Sequence, residues 1–136
     1  MAQFNGKFKL DKSEKFDEFM AAMGVNFMLR KVGNSTKPLV TMSTEDGKVF
    51  NFLSESTFKN VKLQFTLGVE YSDTTPDGRK TKNVINMVDN KLVQNEKPAD
   101  GKGKEVTYIR EITESGDMKL TCKIDDIVAT RMYLKQ

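Results

Sequence analysis

The sequence predicts a mainly β protein, in which an antiparallel up-and-down sheet closes into a barrel and two short helices near the N-terminus cap it. Three observations support this fold class. Helical periodicity is confined to residues 13–33, alternation of period two begins at Lys37, and turn signals interrupt that alternation roughly every ten residues. We expect closure because an open sheet of this size would expose two edge strands, which are sites of aggregation.

Two apolar stripes, joined at Gly24, indicate the two helices. The first has i, i+3, i+4, i+7 spacing and follows Ser13, the expected N-cap, while the second begins near Asn26 and ends at Gly33. The first stripe consists of Phe16, Phe19, Met20 and Met23, and the second of Val25, Met28, Leu29 and Val32. Helices this short are marginal in isolation, so we expect a helix-turn-helix lid over about residues 14–33, packed on the barrel.

Alternating apolar and polar residues indicate the strands. The plainest examples are residues 61–67 and 118–124, in which every second side chain is apolar. Short strands that follow one another through hairpin turns form an up-and-down sheet. The turn signals are Asp46-Gly47, Asp77-Gly78, Asp89-Asn90, Asp100-Gly101 and Gly116-Asp117. No linker or second composition regime divides the chain, so we expect one domain over residues 1–136.

The composition excludes several classes of function. The chain has 136 residues and no histidine, which rules out Ser-His-Asp triads and histidine-ligated metals. Its single cysteine permits neither an intramolecular disulfide nor a cysteine-ligated cluster. The net charge of +3 is too small to indicate nucleic-acid binding. We therefore expect no metal and no cofactor and, since no acid–base constellation is evident, no enzymatic activity.

The sequence also bears on location. Residues 1–6 have neither a basic head nor an apolar stretch behind it, so they do not resemble a secretory signal. No apolar run approaches the ~20 residues that a membrane-spanning helix needs. A lone thiol fits a reducing compartment. These features predict a cytoplasmic protein, with the nucleus as a second compartment.

Two arginines alternate with apolar residues in the last third of the chain. One face of residues 106–112 carries Tyr108 and Arg110, and one face of the last strand carries Arg131 and Tyr133. Alternation alone leaves open whether these faces or the opposite ones are buried. If they point inward, two guanidinium groups lie among apolar side chains and need compensation. An anionic ligand would supply it, because a carboxylate accepts charge-assisted hydrogen bonds from Arg131 and a further one from Tyr133.

Six ordered blocks of the sequence carry a resemblance to a known family. They are residues 6–20 (GKFKL and FDEFM at its two ends), 24–31 (GVNFMLRK), 56–60 (STFKN), 65–70 (FTLGVE), 77–80 (DGRK), and 110–111 (RE) with 130–133 (TRMY). Together they resemble the intracellular fatty-acid-binding proteins, a family that also contains the cellular retinoid-binding proteins. The resemblance covers essentially the whole chain. It implies a ten-stranded, clam-like antiparallel barrel whose helical lid covers an internal cavity.

The resemblance also implies roles for individual residues. Arg131 and Tyr133 would hold a ligand carboxylate directly, and Arg110 would assist, often through water. The implied cavity and portal positions are Phe16, Met20, Val25, Thr36, Pro38, Ser54, Phe58, Asp77, Arg79, Leu120 and Cys122. One departure is Tyr108, which stands where a smaller aliphatic residue is frequent and would make the cavity near Arg110 narrower or more polar.

These features predict a carrier that reversibly binds and transports long-chain fatty acids and needs no cofactor. A retinoic-acid carrier of the same family is the nearer alternative, because it would use the same arginines. A nucleic-acid-binding β-barrel module is the distant alternative, and the small net charge disfavours it. We expect a monomer.

The second helix is also expected to carry a membrane-collision surface. Phe27, Arg30 and Lys31 share the face opposite its apolar stripe. An apolar tip beside two positive charges suits transient contact with anionic membranes, since each basic residue near such a surface contributes roughly 1 kcal/mol. A contact of that strength would not anchor the protein, which a carrier requires.

Overall fold

The computed structural model describes residues 2–136, which form ten antiparallel strands, two α-helices and a short 3-10 turn at Ala2–Phe4. The strands are β1 (Gly6–Glu14), β2 (Leu39–Thr44), β3 (Val49–Glu55), β4 (Val61–Thr66), β5 (Tyr71–Thr74), β6 (Lys80–Val88), β7 (Lys91–Pro98), β8 (Val106–Ile112), β9 (Met118–Ile124) and β10 (Ile127–Lys135). The helices are α1 (Phe16–Ala22) and α2 (Phe27–Ser35). Neither helix within residues 2–136 is long and apolar enough to cross a membrane. The predicted ten-stranded barrel with a helix-turn-helix lid is confirmed.

The sheet has up-and-down topology. Apart from β4 and β5, strands that follow one another in the chain pair side by side, and β10 returns to pair with β1. The order across the sheet is β4-β3-β2-β1-β10-β9-β8-β7-β6-β5, which curls into a nearly closed barrel. β4 and β5 are its two edges, consecutive in the chain but joined by no strand ladder. The hairpin β6–β7 turns through Asp89 and Asn90, whose φ angles of 50° and 64° match a two-residue left-handed turn.

Helix α1 begins at Phe16, behind Lys15, whose φ of 59° lies in the left-handed region. The prediction that Ser13 caps this helix is wrong. Ser13 belongs to β1, which continues past a bulge after Leu10 and pairs Ser13 with Arg131 of β10. The strand thus leads directly into the lid, and the backbone of Lys15 makes the turn without a capping side chain.

Helix α2 is capped, as expected, by Asn26, whose side chain accepts a hydrogen bond of 3.0 Å from the backbone N–H of Leu29. Val25 and Leu29 point toward the barrel and line its cavity. The predicted apolar stripe is wrong at Met28, which is 70% exposed. Because α2 covers the mouth of a cavity rather than a packed core, its first turn meets no layer of side chains that could bury Met28.

The barrel interior is packed at one end and hollow toward the lid. Four buried phenylalanines fill the packed end, and the rings of Phe50 and Phe65 are stacked with centroids 5.3 Å apart. Phe4 meets the edge of Phe50 at 6.4 Å, and Phe8 is likewise fully buried. Phe50 lies at the start of β3, whereas Ser54, further along the same strand, lines the cavity. The strands therefore run from a solid base to an open space beneath the helices.

Candidate ligand-binding site

A cavity of about 290 Å³ lies between the lid and the barrel interior. Its wall is mainly apolar, as in sites that hold small hydrophobic ligands. The structure places all eleven of the predicted cavity and portal positions on this wall: Phe16, Met20, Val25, Thr36, Pro38, Ser54, Phe58, Asp77, Arg79, Leu120 and Cys122. Residues far apart in the sequence thus meet around one space.

Arg131 faces this cavity from β10. The alternation left its orientation open, and the register settles it, since Arg131 pairs with the buried Leu120 of β9 and is itself only 7% exposed. Its guanidinium carbon lies 3.8 Å from the centre of the Phe16 ring. Its Nε is buried without a hydrogen-bond partner in residues 2–136. The cavity wall therefore contains a buried cation whose hydrogen-bonding capacity is not used.

Tyr133 shares the inward face of β10 with Arg131. Its ring centre lies 5.9 Å from the guanidinium carbon of Arg131, and it is buried without lining the cavity. Burial raises the pKa of the Tyr133 hydroxyl, although Arg131 opposes this effect. The hydroxyl therefore stays protonated near neutral pH and can donate a hydrogen bond.

Arg110 flanks the same site from β8. It pairs with Leu120 from the side opposite to Arg131, so that one strand separates the two arginines. Its Nη1 donates a hydrogen bond of 2.9 Å to Oε1 of Gln94, and its guanidinium carbon lies 5.5 Å from the centre of the Phe52 ring. Arg110 also borders a smaller cavity of about 110 Å³ deeper in the barrel. Its contacts with protein are thus a neutral acceptor and aromatic faces.

A second polar group, here named the portal cluster, consists of Met23, Asp77, Arg79, Glu96 and Tyr108. Nε of Arg79 donates a hydrogen bond of 2.7 Å to Oδ2 of Asp77, and an Nη of Arg79 lies 3.8 Å from Sδ of Met23. The Tyr108 hydroxyl lies 3.5 Å from Oε2 of Glu96 and 3.7 Å from Sδ of Met23. Four members line the cavity, while Glu96 stands behind Tyr108.

Burial and charge act differently on the two carboxyl groups of the portal cluster. Burial raises the pKa of Glu96, and the attraction of Arg79 only partly offsets it. At Asp77 burial also acts to raise the pKa, but the hydrogen bond from Arg79 contributes to a net lowering. Arg79 therefore forms its ion pair with Asp77, and the carboxyl group of Glu96 interacts with Arg79 only weakly.

Sequence reasoning placed Asp77 and Arg79 at the site and expected Tyr108 in the cavity near Arg110, but it missed Met23 and Glu96. Met23 could have been found, because it lies on the first apolar stripe. Glu96 gave no signal. It is one of several polar residues in β7, and only its pairing with the buried Val106 shows that it points inward.

The outer surface of α2 differs from the expected one. Phe27 is 66% exposed and Lys31 is exposed, as expected. Arg30 is folded back instead: its Nε donates to Oδ1 of Asp17 at 3.3 Å, and its Nη1 donates to the carbonyl of Val25 at 2.9 Å. Arg30 lies beside Phe27, as expected, with its guanidinium carbon 5.8 Å from the ring centre, but its charge is partly offset because the neighbouring helix supplies a counter-ion.

Burial keeps the one thiol of the cavity wall, that of Cys122, in its unreactive protonated form. Burial raises the pKa of the Cys122 thiol to about 11, so the thiol is protonated near neutral pH. Cys122 pairs with Tyr108 on one side and Ala129 on the other, as an ordinary inward residue of β9. Within residues 2–136, no group of three or more Cys, Asp or Glu side chains is arranged to hold a metal ion.

Comparison with known proteins places the chain in a family. A family model described as "Lipocalin / cytosolic fatty-acid binding protein family" matches residues 5–136. Fatty acid-binding protein homolog 1 of Echinococcus granulosus is 39% identical over 135 residues, which are 99% of this chain and 98% of that protein. Cellular retinoic acid-binding protein 2 of Rattus norvegicus is 34% identical, and the match covers 100% of both chains.

Solved structures agree with the sequence relatives. The fatty acid binding protein of Schistosoma mansoni, in complex with arachidonic acid, matches this structure with a TM-score of 0.90 at 36% identity. That match covers 100% of this chain and 98% of the other. The resemblance drawn from the six sequence blocks is thereby confirmed over nearly the full length. This chain belongs to the lipocalin / cytosolic fatty-acid-binding protein family.

Proposed function

We propose that this protein is a carrier that reversibly binds and transports long-chain fatty acids in its internal cavity. The observation that carries the proposal is Arg131, a buried cation at the cavity wall whose Nε has no hydrogen-bond partner within residues 2–136. An uncompensated buried charge costs several kcal/mol, so the site favours a ligand that brings a negative charge. The arachidonic acid bound to the Schistosoma mansoni relative supports a fatty acid as that ligand.

We assign the ligand carboxylate to Arg131 and Tyr133, with Arg110 assisting directly or through water. Guanidinium groups suit this role because they offer paired donors that match the two oxygens of a carboxylate. Tyr133 would add a neutral donor, since its hydroxyl is protonated. The hydrocarbon chain would lie against the apolar wall beneath the lid.

The hydrocarbon chain should dominate the affinity. Burying about fourteen methylene groups at ~0.8 kcal/mol each gives roughly 11 kcal/mol before the cost of association is subtracted. Charged hydrogen bonds to the carboxylate add ~1.5–3 kcal/mol. The head group would therefore set the orientation of the ligand, and the tail would supply most of the binding energy.

Calorimetric titration with a fatty acid and its methyl ester tests the proposal. We expect one molecule of oleate to bind per chain and methyl oleate to bind about ten- to a hundredfold more weakly, because the ester carries no charge. Equal affinity for the two would contradict the assignment of the arginines. Failure of both to bind would contradict the carrier function itself.

We further propose that the protein acts without catalysis and without a cofactor. The absence of histidine and the protonated state of Cys122 support this, since neither a general base nor an activated thiol is available from these residues. The single cysteine supports a cytoplasmic location, and the net charge of +3 supports a protein that does not bind nucleic acid. We propose that it is a monomer. The nucleus is proposed as a second location.

Retinoic acid is the second candidate ligand. A cellular retinoic acid-binding protein matches this chain over its full length at 34% identity, and the carboxylate of retinoic acid would use the same arginines. Competition of oleate and all-trans retinoic acid against a fluorescent fatty-acid probe ranks the two. If retinoic acid displaced the probe at a lower concentration than oleate does, retinoic acid would become the first candidate ligand.

We also propose that α2 makes transient contact with anionic membranes. Phe27 and Met28, 66% and 70% exposed, form an apolar tip beside the exposed Lys31. Because Asp17 offsets the charge of Arg30, the positive contribution comes mainly from Lys31. One basic residue near an anionic surface contributes roughly 1 kcal/mol, which supports a collision rather than an anchor.

Transfer of a fluorescent fatty acid from the protein to vesicles tests this contact. Transfer should speed up with anionic lipid and slow in high salt, because exposed charges are screened. Lys31→Gln should slow transfer more than Arg30→Gln, whose side chain already has a counter-ion. Rates that are indifferent to lipid charge, salt and Lys31→Gln would show that the ligand leaves by diffusion through water.

A further inference from the structure

We propose that the portal cluster is a second polar subsite, which selects fatty acids that carry a hydroxyl group near the middle of the chain. The inference rests on the proposed function, since it concerns the same cavity and the same class of ligand. Tyr108, Arg79 and Asp77 line the cavity together with the apolar residues. A plain hydrocarbon chain would cover these polar groups without bonding to them, which is unfavourable.

The Tyr108 hydroxyl is only loosely bonded in the protein. Its oxygen lies 3.5 Å from Oε2 of Glu96 and 3.7 Å from Sδ of Met23, and its single proton can serve only one of them. Ordinary O–H···O hydrogen bonds are about 2.5–3.0 Å long. No group within residues 2–136 donates to the Tyr108 oxygen, so a cavity-lining residue keeps unused acceptor capacity.

Glu96 determines which way the Tyr108 proton points. It is 7% exposed, and the long contact with Tyr108 is the one hydrogen bond to its carboxyl group among the described residues. Because Glu96 is buried outside the cavity lining, a proton that points to it is not directed at the ligand. The lone pairs of the Tyr108 oxygen are then presented to the ligand, and Glu96 acts as a positioning residue.

Arg79 supplies the complementary donor. Its Nε is engaged with Oδ2 of Asp77 at 2.7 Å, but its Nη2 has only the sulfur of Met23 at 3.8 Å. Sulfur is a weak acceptor, so this N–H can bond to a ligand oxygen instead. An acceptor at Tyr108 beside a donor at Arg79 matches a hydroxyl group, which both donates and accepts. A ketone only accepts, so it could use Arg79 alone.

The positions of the strands indicate where along the ligand this hydroxyl lies. Tyr108 is two residues from Arg110 on one face of β8, a separation of about 7 Å, and Arg131 is two strands from Arg110, about 10 Å away. The Cα atoms of Arg131 and Tyr108 are therefore roughly 12 Å apart across the sheet. With the carboxylate at Arg131, a hydroxyl that meets Tyr108 is expected well along an eighteen-carbon chain rather than next to the carboxylate.

Binding of 10-hydroxystearic acid and stearic acid to the wild type and to Tyr108→Phe tests the subsite. The substitution removes one oxygen and keeps the ring that packs edge-on against Phe19. We expect the wild type to prefer the hydroxy acid by roughly five- to tenfold, the equivalent of one net hydrogen bond, and Tyr108→Phe to lose that preference. A merely structural role for Tyr108 would weaken both acids alike and leave the ratio unchanged.

Tyr71→Phe is the matched control: Tyr71 of β5 borders the smaller cavity beside Arg110 and lies outside both the portal cluster and the wall of the main cavity. It should leave the ratio as in the wild type. Both 10-oxostearic acid and 2-hydroxystearic acid should bind less tightly than the 10-hydroxy acid. Equal ratios in the wild type and Tyr108→Phe would overturn the subsite while leaving the carrier function intact. Failure of stearic acid itself to bind would instead overturn the proposed function.

Discussion

Replacing Arg131 with glutamine should separate ligand affinity from stability. Arg131 is 7% exposed, and its Nε has no hydrogen-bond partner in the described residues. Its guanidinium group lies over the ring of Phe16, with the guanidinium carbon 3.8 Å from the ring centre. A desolvated cation–π contact contributes roughly 2 kcal/mol, whereas burial of an unpaired ion costs several kcal/mol. Arg131 is therefore unfavourable on balance until an anion binds.

Two opposite effects follow for Arg131→Gln. Without ligand, the variant should be at least as stable as the wild type, because it loses a buried charge. With ligand, it should bind oleate about ten- to a hundredfold more weakly, since ~1.5–3 kcal/mol of charged hydrogen bonding is lost. Binding of methyl oleate should change much less, because the ester does not engage the charge.

Urea unfolding of lipid-free protein measures the first effect, and calorimetry with oleate and methyl oleate measures the second. Lys123→Gln controls for the loss of a positive charge, since Lys123 is exposed on the outer face of β9. An Arg131→Gln protein that is unstable without ligand yet keeps its affinity for oleate would refute the reasoning. Arg131 would then be a structural residue.

Lys15→Asn should raise the free energy of unfolding by about 1 kcal/mol, measured from the urea midpoint, because asparagine tolerates a φ of 59° better than lysine. Asn26→Ala should lower it by about 1 kcal/mol through loss of the cap to Leu29, and Asn26→Ser should lower it less. At Glu96, burial raises the pKa above its unfolded value, so its contribution to stability is greatest at low pH and is lost as the pH rises through the folded pKa. As the pH rises above about 4, the ordinary pKa of a glutamate, the wild type should therefore lose stability relative to Glu96→Gln; a constant difference would exclude burial as the cause.

Most strands could be predicted from alternation because one face of each is buried. Residues 118–124 alternate without interruption and form β9 as expected. Alternation could not decide the orientation of Arg131, because both faces of residues 127–134 carry apolar side chains. The pairing of Arg131 with Leu120 of β9 determines which face of β10 is buried. This pairing cannot be derived from residues 127–134 alone, because it depends on the neighbouring strand.

The errors lie where the lid meets the barrel. Ser13 has the chemistry of an N-cap, but a bulge lets β1 continue through it, and no local signal distinguishes the two outcomes. Met28 has helical spacing with Val25 and Val32, yet periodicity cannot distinguish a helix over a cavity from a helix on a packed core. The partner of Arg30 is Asp17, thirteen residues away, so only the packing of α1 against α2 reveals that its charge is offset.

The missing ladder between β4 and β5 makes the barrel a split ring. A fully closed barrel can widen only by breaking backbone hydrogen bonds, and buried N–H and C=O groups are costly to leave unpaired. A barrel with two unpaired edge strands can open between them and keep its other strand ladders intact. The barrel can therefore widen along the line between β4 and β5 without loss of strand pairing.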